Sequence, residues 1–424
     1  MSLFGIEQCA HSGKLLPRCG RRPAPKGRKE CSPGREPRET ELGYAERRHL
    51  AGCFMPDKEP PRRRRSNCTA GLKGRKDSLG FLEILAGILF AALLLALCGA
   101  AYQKIRAAED LRTHPPLGRL VSVGDHRLHI LEMGEGSPTV VLDAALGGSC
   151  VSWTHVQPEV ARFTRVCSYD RAGMGWSDGG PEPRTALRTA EELHALLHNG
   201  GVSGPYVLVG HSFGGFTARL FAAKYPDEVA GLVLIDVPDA REWLNNPEQK
   251  RRARVGAMLS RRGALVARLG IARLVAHLAA TGSIGAARSG AYVISTGILL
   301  GHIDYILAPL VRVAPELRPA LRMFWTHPKF YEALAGQMEA ISQTAEQVAH
   351  TGGVGDIPIV VLSASNVDAV HFAAQEQMAR LSRRGKHLVA TRSGHWIQLD
   401  QPELVVEAIR QVVEQVRSWS QVVH

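Results

Sequence analysis

Tyr206-Val207-Leu208-Val209-Gly210-His211-Ser212-Phe213-Gly214-Gly215 is the stretch that decides the fold. Its first four residues are apolar on both faces, as a strand inside a parallel sheet must be. Gly210-x-Ser212-x-Gly214 follows at once, and Phe213–Lys224 then reads as a helix. A bare Gly-x-Ser-x-Gly arises often by chance. At a strand-to-helix junction it describes a tight turn in which small residues must flank an exposed serine. That serine would project above the sheet at a helix N-terminus, whose dipole favours negative charge.

Outward from this turn the same alternation recurs. Arg119–Gly124 and His126–Glu132 alternate around Gly124-Asp125, a hairpin signal. Thr139–Leu142, Thr164–Tyr169, Val229–Ile235 and Ile357–Leu362 are short and β-rich, with helical patterns such as Thr185–His198 between strands. This predicts an α/β fold with a doubly wound, mostly parallel sheet. Residues 239–353 break the rhythm. They are helical, rich in Ala, Leu and Arg, and read as a cap inserted into a domain spanning 117–424.

A serine hydroxyl needs a base to act as a nucleophile. Of 17 histidines, His395 has the best placement, after the strand-like His387–Thr391 and before a helix near Pro402. His211 adjoins the serine and reads as a support for the turn. His277, His302, His327 and His350 lie in the cap without a paired motif. The base in turn needs a carboxylate to fix its tautomer. Asp368, past the strand Ile357–Leu362 and 27 residues before His395, is the first choice, although it falls one residue later than the usual spacing. Asp236, which ends Leu234-Ile235-Asp236, is the alternative. A developing oxyanion needs two backbone N–H donors. Phe213 supplies one by position, and Leu146, in the loop Asp143–Ser149, is expected to supply the other. Asp143 either binds the amides of that loop or caps its turn.

The N-terminal part is of another kind. The formal net charge of the 424 residues is +12, and residues 1–80 hold 19 Lys/Arg against 9 Asp/Glu. Gly, Pro, Arg and Glu dominate residues 1–78, which read as a disordered basic tail. Arg62–Arg65 lack the aromatic platform or folded motif of a nucleic-acid site, and no nucleic-acid partner is expected. Five of the eight cysteines lie in this tail, at 9, 19, 31, 53 and 68, with no Cys-x-x-Cys pair. That argues against a zinc site. Cys150 and Cys167 could pair in an oxidising compartment.

Ile84–Tyr102 contains 19 consecutive uncharged residues, enough helix to cross a hydrocarbon core of ~30 Å. A transmembrane helix is expected over 79–102, with a linker over 103–116. Lys73, Arg75 and Lys76 precede the span, and Glu109 and Asp110 offset Lys104 and Arg106 after it. The positive-inside rule puts the N-terminus in the cytoplasm and the catalytic domain on the outer side. Two other readings stay open. Translation from Met55 would make the run a signal peptide cut near Ala100, and residues 1–54 would then lie upstream of the true start. Cys98 would serve as a lipoprotein anchor, though Leu97 stands where a small residue is wanted.

The residues around the serine and histidine resemble the α/β-hydrolase fold superfamily, in its AB-hydrolase-1 type. Asp170-Arg171-Ala172-Gly173-Met174-Gly175-Trp176-Ser177-Asp178 resembles the loop after the family's fourth strand, Gly210–Gly215 its elbow, and Gly394-His395-Trp396 its histidine loop. The resemblance covers about 117–240 and 353–418. It implies an eight-stranded mostly parallel sheet, a Ser–Asp–His triad, here Ser212 and His395 with Asp368 favoured over Asp236, and no cofactor. Two departures stand out: Ala144-Ala145 replaces the usual His-Gly of the oxyanion loop, and the acid is displaced. Ser212 sets the chain apart from relatives with an aspartate nucleophile, the epoxide hydrolases and haloalkane dehalogenases.

The expected function is therefore a membrane-anchored serine esterase acting on a small-molecule or lipid-like acyl substrate. A peptidase, thioesterase, perhydrolase or non-catalytic binding protein are the alternatives. Residues 240–330 carry 14 Lys/Arg against four acids, so the cap presents either a solvated basic face or a surface for anionic headgroups.

Overall fold

The computed structural model describes residues 70–280, 309, 311–365 and 367–422. The expectations for residues 1–69 of the basic tail, its cysteines and the arginine run fall outside these residues. α1 (Ala70–Thr113) is longer than the expected span at both ends. It takes in residues 70–78, read above as tail, and most of the expected linker. After Tyr102 come Lys104, Arg106, Ala107, Ala108 and Glu109, all good helix formers, and the helix ends just before Pro115-Pro116. Its most apolar 18-residue window is wholly unburied, and the helix is long and apolar enough to cross a membrane.

Eight strands form one sheet in the order β1-β2-β4-β3-β5-β6-β7-β8. They are β1 (Arg119–Ser122), β2 (Arg127–Met133), β3 (Thr139–Asp143), β4 (Val166–Tyr169), β5 (Tyr206–His211), β6 (Val229–Ile235), β7 (Ile359–Ala364) and β8 (Gly385–Ala390). β1 and β2 pair antiparallel, as do β2 and β4, and every other pairing is parallel. Because side chains alternate along a strand, each central strand feeds two cores. Leu208, Leu232, Leu234 and Val361 pack with Leu193, Leu196, Phe216 and Phe221 of α2 (Ala186–Asn199) and α3 (Phe213–Lys224). Val207, Val209, Val233 and Val360 face the other way, onto Val405, Ile409 and Val412 of α11 (Pro402–Val422).

Between β6 and β7 lie the cap helices α4 (Ala240–Asn245), α5 (Pro247–Arg268), α6 (Ile271–Ala280), α7 (Arg318–Thr326), α8 (Pro328–Glu339) and α9 (Ile341–Ala349). They occupy the interval read as an insertion, and its described residues contain no strand. α10 (Ala369–Ala379) joins β7 to β8.

Cys150 and Cys167 are both free and buried, so the disulfide considered from sequence is not formed. Cys167 is an interior residue of β4, paired in register with Val141. The Cys150 sulfur instead lies 3.7 Å from both His129 Nδ1 and Asp170 Oδ2.

Candidate active site

The turn between β5 and α3 forces Ser212 into φ 53°, ψ −117°, a backbone state that costs a non-glycine residue about 1–3 kcal/mol. Its neighbours explain how the strain is held. A Cβ on Gly210 would lie 2.5 Å from the Gly214 carbonyl carbon, and one on Gly214 would lie 2.5 Å from the Asp143 carbonyl oxygen. Both positions therefore exclude any side chain, which is the physical content of the Gly-x-Ser-x-Gly spacing. Ser212 N–H donates to Ile235 O at 2.8 Å, tying the turn to β6.

His395 follows β8 in the loop that precedes α11. Its Nδ1 lies 2.6 Å from Asp236 Oδ2. With the Nδ1 proton directed at that carboxylate, Nε2 is the nitrogen that carries the lone pair. The His395 loop is set by His211, whose Nε2–H donates to His395 O at 2.8 Å while Gln398 Nε2 donates to His211 Nδ1 at 3.0 Å. Burial, reinforced by the nearby His395, pushes His211 down to about 3. His211 thus stays neutral, with both ring nitrogens engaged.

The two candidate acids occupy different environments. Asp368 does not meet the histidine: it is exposed, and its Oδ1 accepts from His371 N–H at 2.8 Å as the N-cap of α10. An aspartate before a helix is drawn to that role because it satisfies an orphan N–H. Asp236 is the carboxylate brought to His395. It is buried, follows β6 directly and sits at φ 45°. Its Oδ1 also accepts from Ala364 N–H at 3.2 Å and lies 3.2 Å from His371 Nε2. Burial alone would raise its pKa, but the hydrogen bonds from His371 and His395 outweigh it and hold the carboxyl well below the usual range. His371, which the sequence reading did not single out, is itself raised by its hydrogen bond to Asp236, against the effect of burial.

Ser212, Phe213 and Leu146 line one cavity of about 210 Å³, together with Phe216, Trp243, Met338 and Ile341. Larger recesses of about 290 and 340 Å³ do not contain Ser212, so the chemistry selects the smaller one, which does. Among the described residues, neither the Phe213 nor the Leu146 N–H donates a hydrogen bond. The loop carrying Leu146 is held from below. Arg171, buried, donates through Nη1 to Asp143 Oδ1 and to Ala144 O, both at 2.7 Å, and through Nη2 to Ala145 O. Asp143, left open between two roles in the sequence, is the counter-charge of this arginine.

His129, Cys150 and Asp170 bring three metal-ligating types within 4.8 Å of one another. Their donors are spent within the protein. His129 Nε2 accepts from Gly118 N–H at 3.0 Å, His129 Nδ1 donates to Asp170 at 2.9 Å, and Asp170 also accepts from the Cys150 and Trp176 amides. Burial, with Asp170 beside it, pushes the Cys150 thiol far up, away from the thiolate a metal would need.

A family model described as alpha/beta hydrolase fold matches residues 138–402. With the strand order and the elbow described above, this shows that the chain belongs to the α/β-hydrolase fold family. It is 24% identical over 295 residues to an AB hydrolase superfamily protein of Gibberella zeae, covering 66% of this chain and 87% of that one. An uncharacterized protein of Schizosaccharomyces pombe is 44% identical, but over 81 residues only. The chain spans 15% of the length of that protein, and 18% and 51% of the length of two other curated relatives it matches, the last an uncharacterized protein of Bacillus subtilis. Among solved structures, a thermophilic esterase from Thermogutta terrifontis superposes with a TM-score of 0.51 at 24% identity, covering 70% of this chain and 98% of that one. At that identity the likeness concerns the fold.

Proposed function

We propose that the chain is a membrane-anchored serine hydrolase that cleaves an ester-type bond through Ser212, His395 and Asp236. The observation that carries this reading is the 2.6 Å approach of His395 Nδ1 to the buried Asp236, in a protein whose Ser212 occupies a strained elbow facing a cavity. Ser212 Oγ attacks the acyl carbon and passes its proton to His395 Nε2. Charge on the carbonyl oxygen is met by the Phe213 and Leu146 amides. The imidazolium then protonates the leaving alkoxide, and an acyl ester on Ser212 remains. Water, deprotonated by His395, hydrolyses that ester and frees the acid. Asp236 stays ionised throughout and fixes the histidine tautomer. Asp368, the acid favoured from sequence, has no part in this scheme.

The cavity is smaller than the 300–1,000 Å³ typical of drug-sized pockets and is lined mainly by Leu, Phe, Trp, Met and Ile, which suits a short apolar acyl group. α1 serves as a single-pass anchor, its N-terminus cytoplasmic and the catalytic domain on the outer side. A fluorophosphonate probe should label the wild-type protein and not Ser212→Ala. A folded wild-type protein that takes no label would instead be a binding protein on the same fold. Initial rates on p-nitrophenyl esters, aminoacyl amides and thioesters should fall in that order, and a preference for amides would replace the esterase reading with a peptidase one.

A further inference from the structure

α1 does not part from the cap where its apolar run ends. Gly99 lies so close to the turn between α5 and α6 that a Cβ there would collide with the Leu269 carbonyl. Gly270, at φ +72°, packs back against Gly99 and Tyr102. One turn further on, Arg273 Nε donates to Gln103 Oε1 at 3.0 Å and Nη2 donates to Asp110 Oδ2 at 2.5 Å. Gln103 in turn donates to Thr326 O at 2.9 Å. α6 thus runs alongside α1 in the same direction, residue 270 beside 99 and residue 273 beside 103.

These contacts set a depth. Gly99 lies three residues before Tyr102, the last residue of the expected span, which is about 4.5 Å at 1.5 Å per residue. Whatever touches Gly99 therefore lies at the edge of the hydrocarbon whenever that run is in a bilayer. The surface at this corner exposes large aliphatic side chains, Leu265 at 56%, Ile271 at 45% and Leu274 at 54%, with the charge of Arg268 between them drawn to Glu332. The same helices bury Gly263, Ala264, Ala267 and Ala272. Small residues turned inward and large aliphatic ones turned outward invert the arrangement of a helix on a water-facing surface. Arg262, exposed and without an ion pair among the described residues, flanks Leu265.

We propose that the α5–α6 corner is a second membrane contact, with Leu265, Ile271 and Leu274 seated in the interface of the leaflet that receives the outer end of α1, and Arg262 at its headgroups. The proposal rests on the reading of α1 as an anchor. It makes the cap a part of the membrane-bound surface, fixed both by a helix and by an apolar corner.

The test uses the full chain in phosphatidylcholine–phosphatidylglycerol vesicles. The five tail cysteines are changed to serine. An environment-sensitive fluorophore is placed on native Cys98, which is exposed on α1, or, with Cys98→Ser, on Leu265→Cys, Ile271→Cys, Leu274→Cys or Arg251→Cys. Fluorophosphonate labelling checks that each variant is folded. The three corner labels should be blue-shifted and quenched by lipids with a shallow nitroxide, while the label at 251, at the far end of α5, stays water-like. Water-like emission at all three corner positions, with Cys98 quenched, overturns the corner contact and leaves the anchor standing. An unquenched Cys98 overturns the anchor reading and the corner with it. Shifts that grow with protein density at fixed lipid would make the corner an interface between copies, which also overturns the proposal.

Discussion

Replacing Asp236 with asparagine separates the two candidate acids most cleanly. The native carboxylate faces His395 Nδ1 at 2.6 Å, His371 Nε2 at 3.2 Å and the Ala364 amide at 3.2 Å. Asparagine keeps the shape but offers one acceptor oxygen and two donors. If its amide group faces His395 Nδ1, the ring proton is driven to Nε2 and the lone pair that would take the Ser212 proton is lost. Wrong-tautomer loss in a serine triad costs about 10⁴-fold in kcat, or about 5.4 kcal/mol of transition-state stabilisation. Asp368→Asn should change little, because asparagine and aspartate cap helices about equally well. The assay is kcat/KM on p-nitrophenyl acetate for full-length protein in detergent, with thermal melting as the check on folding. A folded Asp236→Asn protein that keeps its activity, or an Asp368→Asn protein that loses it, would refute the assignment of the acid.

Other outcomes follow from the same geometry. Because the His371 pKa is raised in the folded protein by Asp236, its contribution to stability is complete below the unfolded value of about 6.5 and is lost as pH rises through the folded value. The drop in melting temperature for His371→Gln should therefore be largest near pH 6 and shrink at alkaline pH. Arg171→Met leaves Asp143 buried without its counter-charge and should cost about 3–5 kcal/mol in denaturant unfolding. Arg171→Lys keeps the charge but cannot hold Asp143 and two carbonyls at once, so kcat should fall with KM nearly unchanged. Ser212→Ala should abolish both hydrolysis and probe labelling without lowering the melting temperature.

The parts of this molecule that were legible in the sequence are those set by local chemistry. Tyr206–Gly214 must form a strand and a tight turn because Gly210 and Gly214 have no room for a side chain, and α3 begins and ends at the residues read from its pattern. Asp236 was legible only as an alternative. Chain order does not discriminate, since serine, acid and histidine follow in sequence whichever aspartate is used. What decides is tertiary: Asp368 meets the first turn of α10, and Asp236 meets a histidine 159 residues away. His371 carried no signal at all, because its partner lies across two elements. α1 extends past the expected span because the hydropathy pattern marks where lipid ends and not where a helix ends.

The approach of Asp236 to His395 has its logic in the sheet. β5 and β6 are neighbours, with His211 paired in register to Ile235, so Ser212 and Asp236 are the next residues on adjacent parallel strands. Adjacent strands lie about 4.8 Å apart, so an acid after β6 is one strand from Ser212, whereas an acid after β7 is two. His395, coming from beyond β8, reaches inward to this nearer acid, and the end of β7 is joined to it through the Ala364 amide. The loop carrying Leu146 departs from the family pattern in another way. Ala144 and Ala145 bring no side-chain hydrogen bonds of their own, and the buried Arg171 binds their carbonyl oxygens instead. Fixing those carbonyls fixes the planes of the peptide groups that follow them, and thereby limits where the Leu146 N–H can point. That donor is a backbone group, so its direction depends on what the carbonyls are bonded to and not on the side chains of residues 144 and 145. On the proposed mechanism, loosening the guanidinium that Asp143 holds below the loop should be felt in kcat before it is felt in substrate binding.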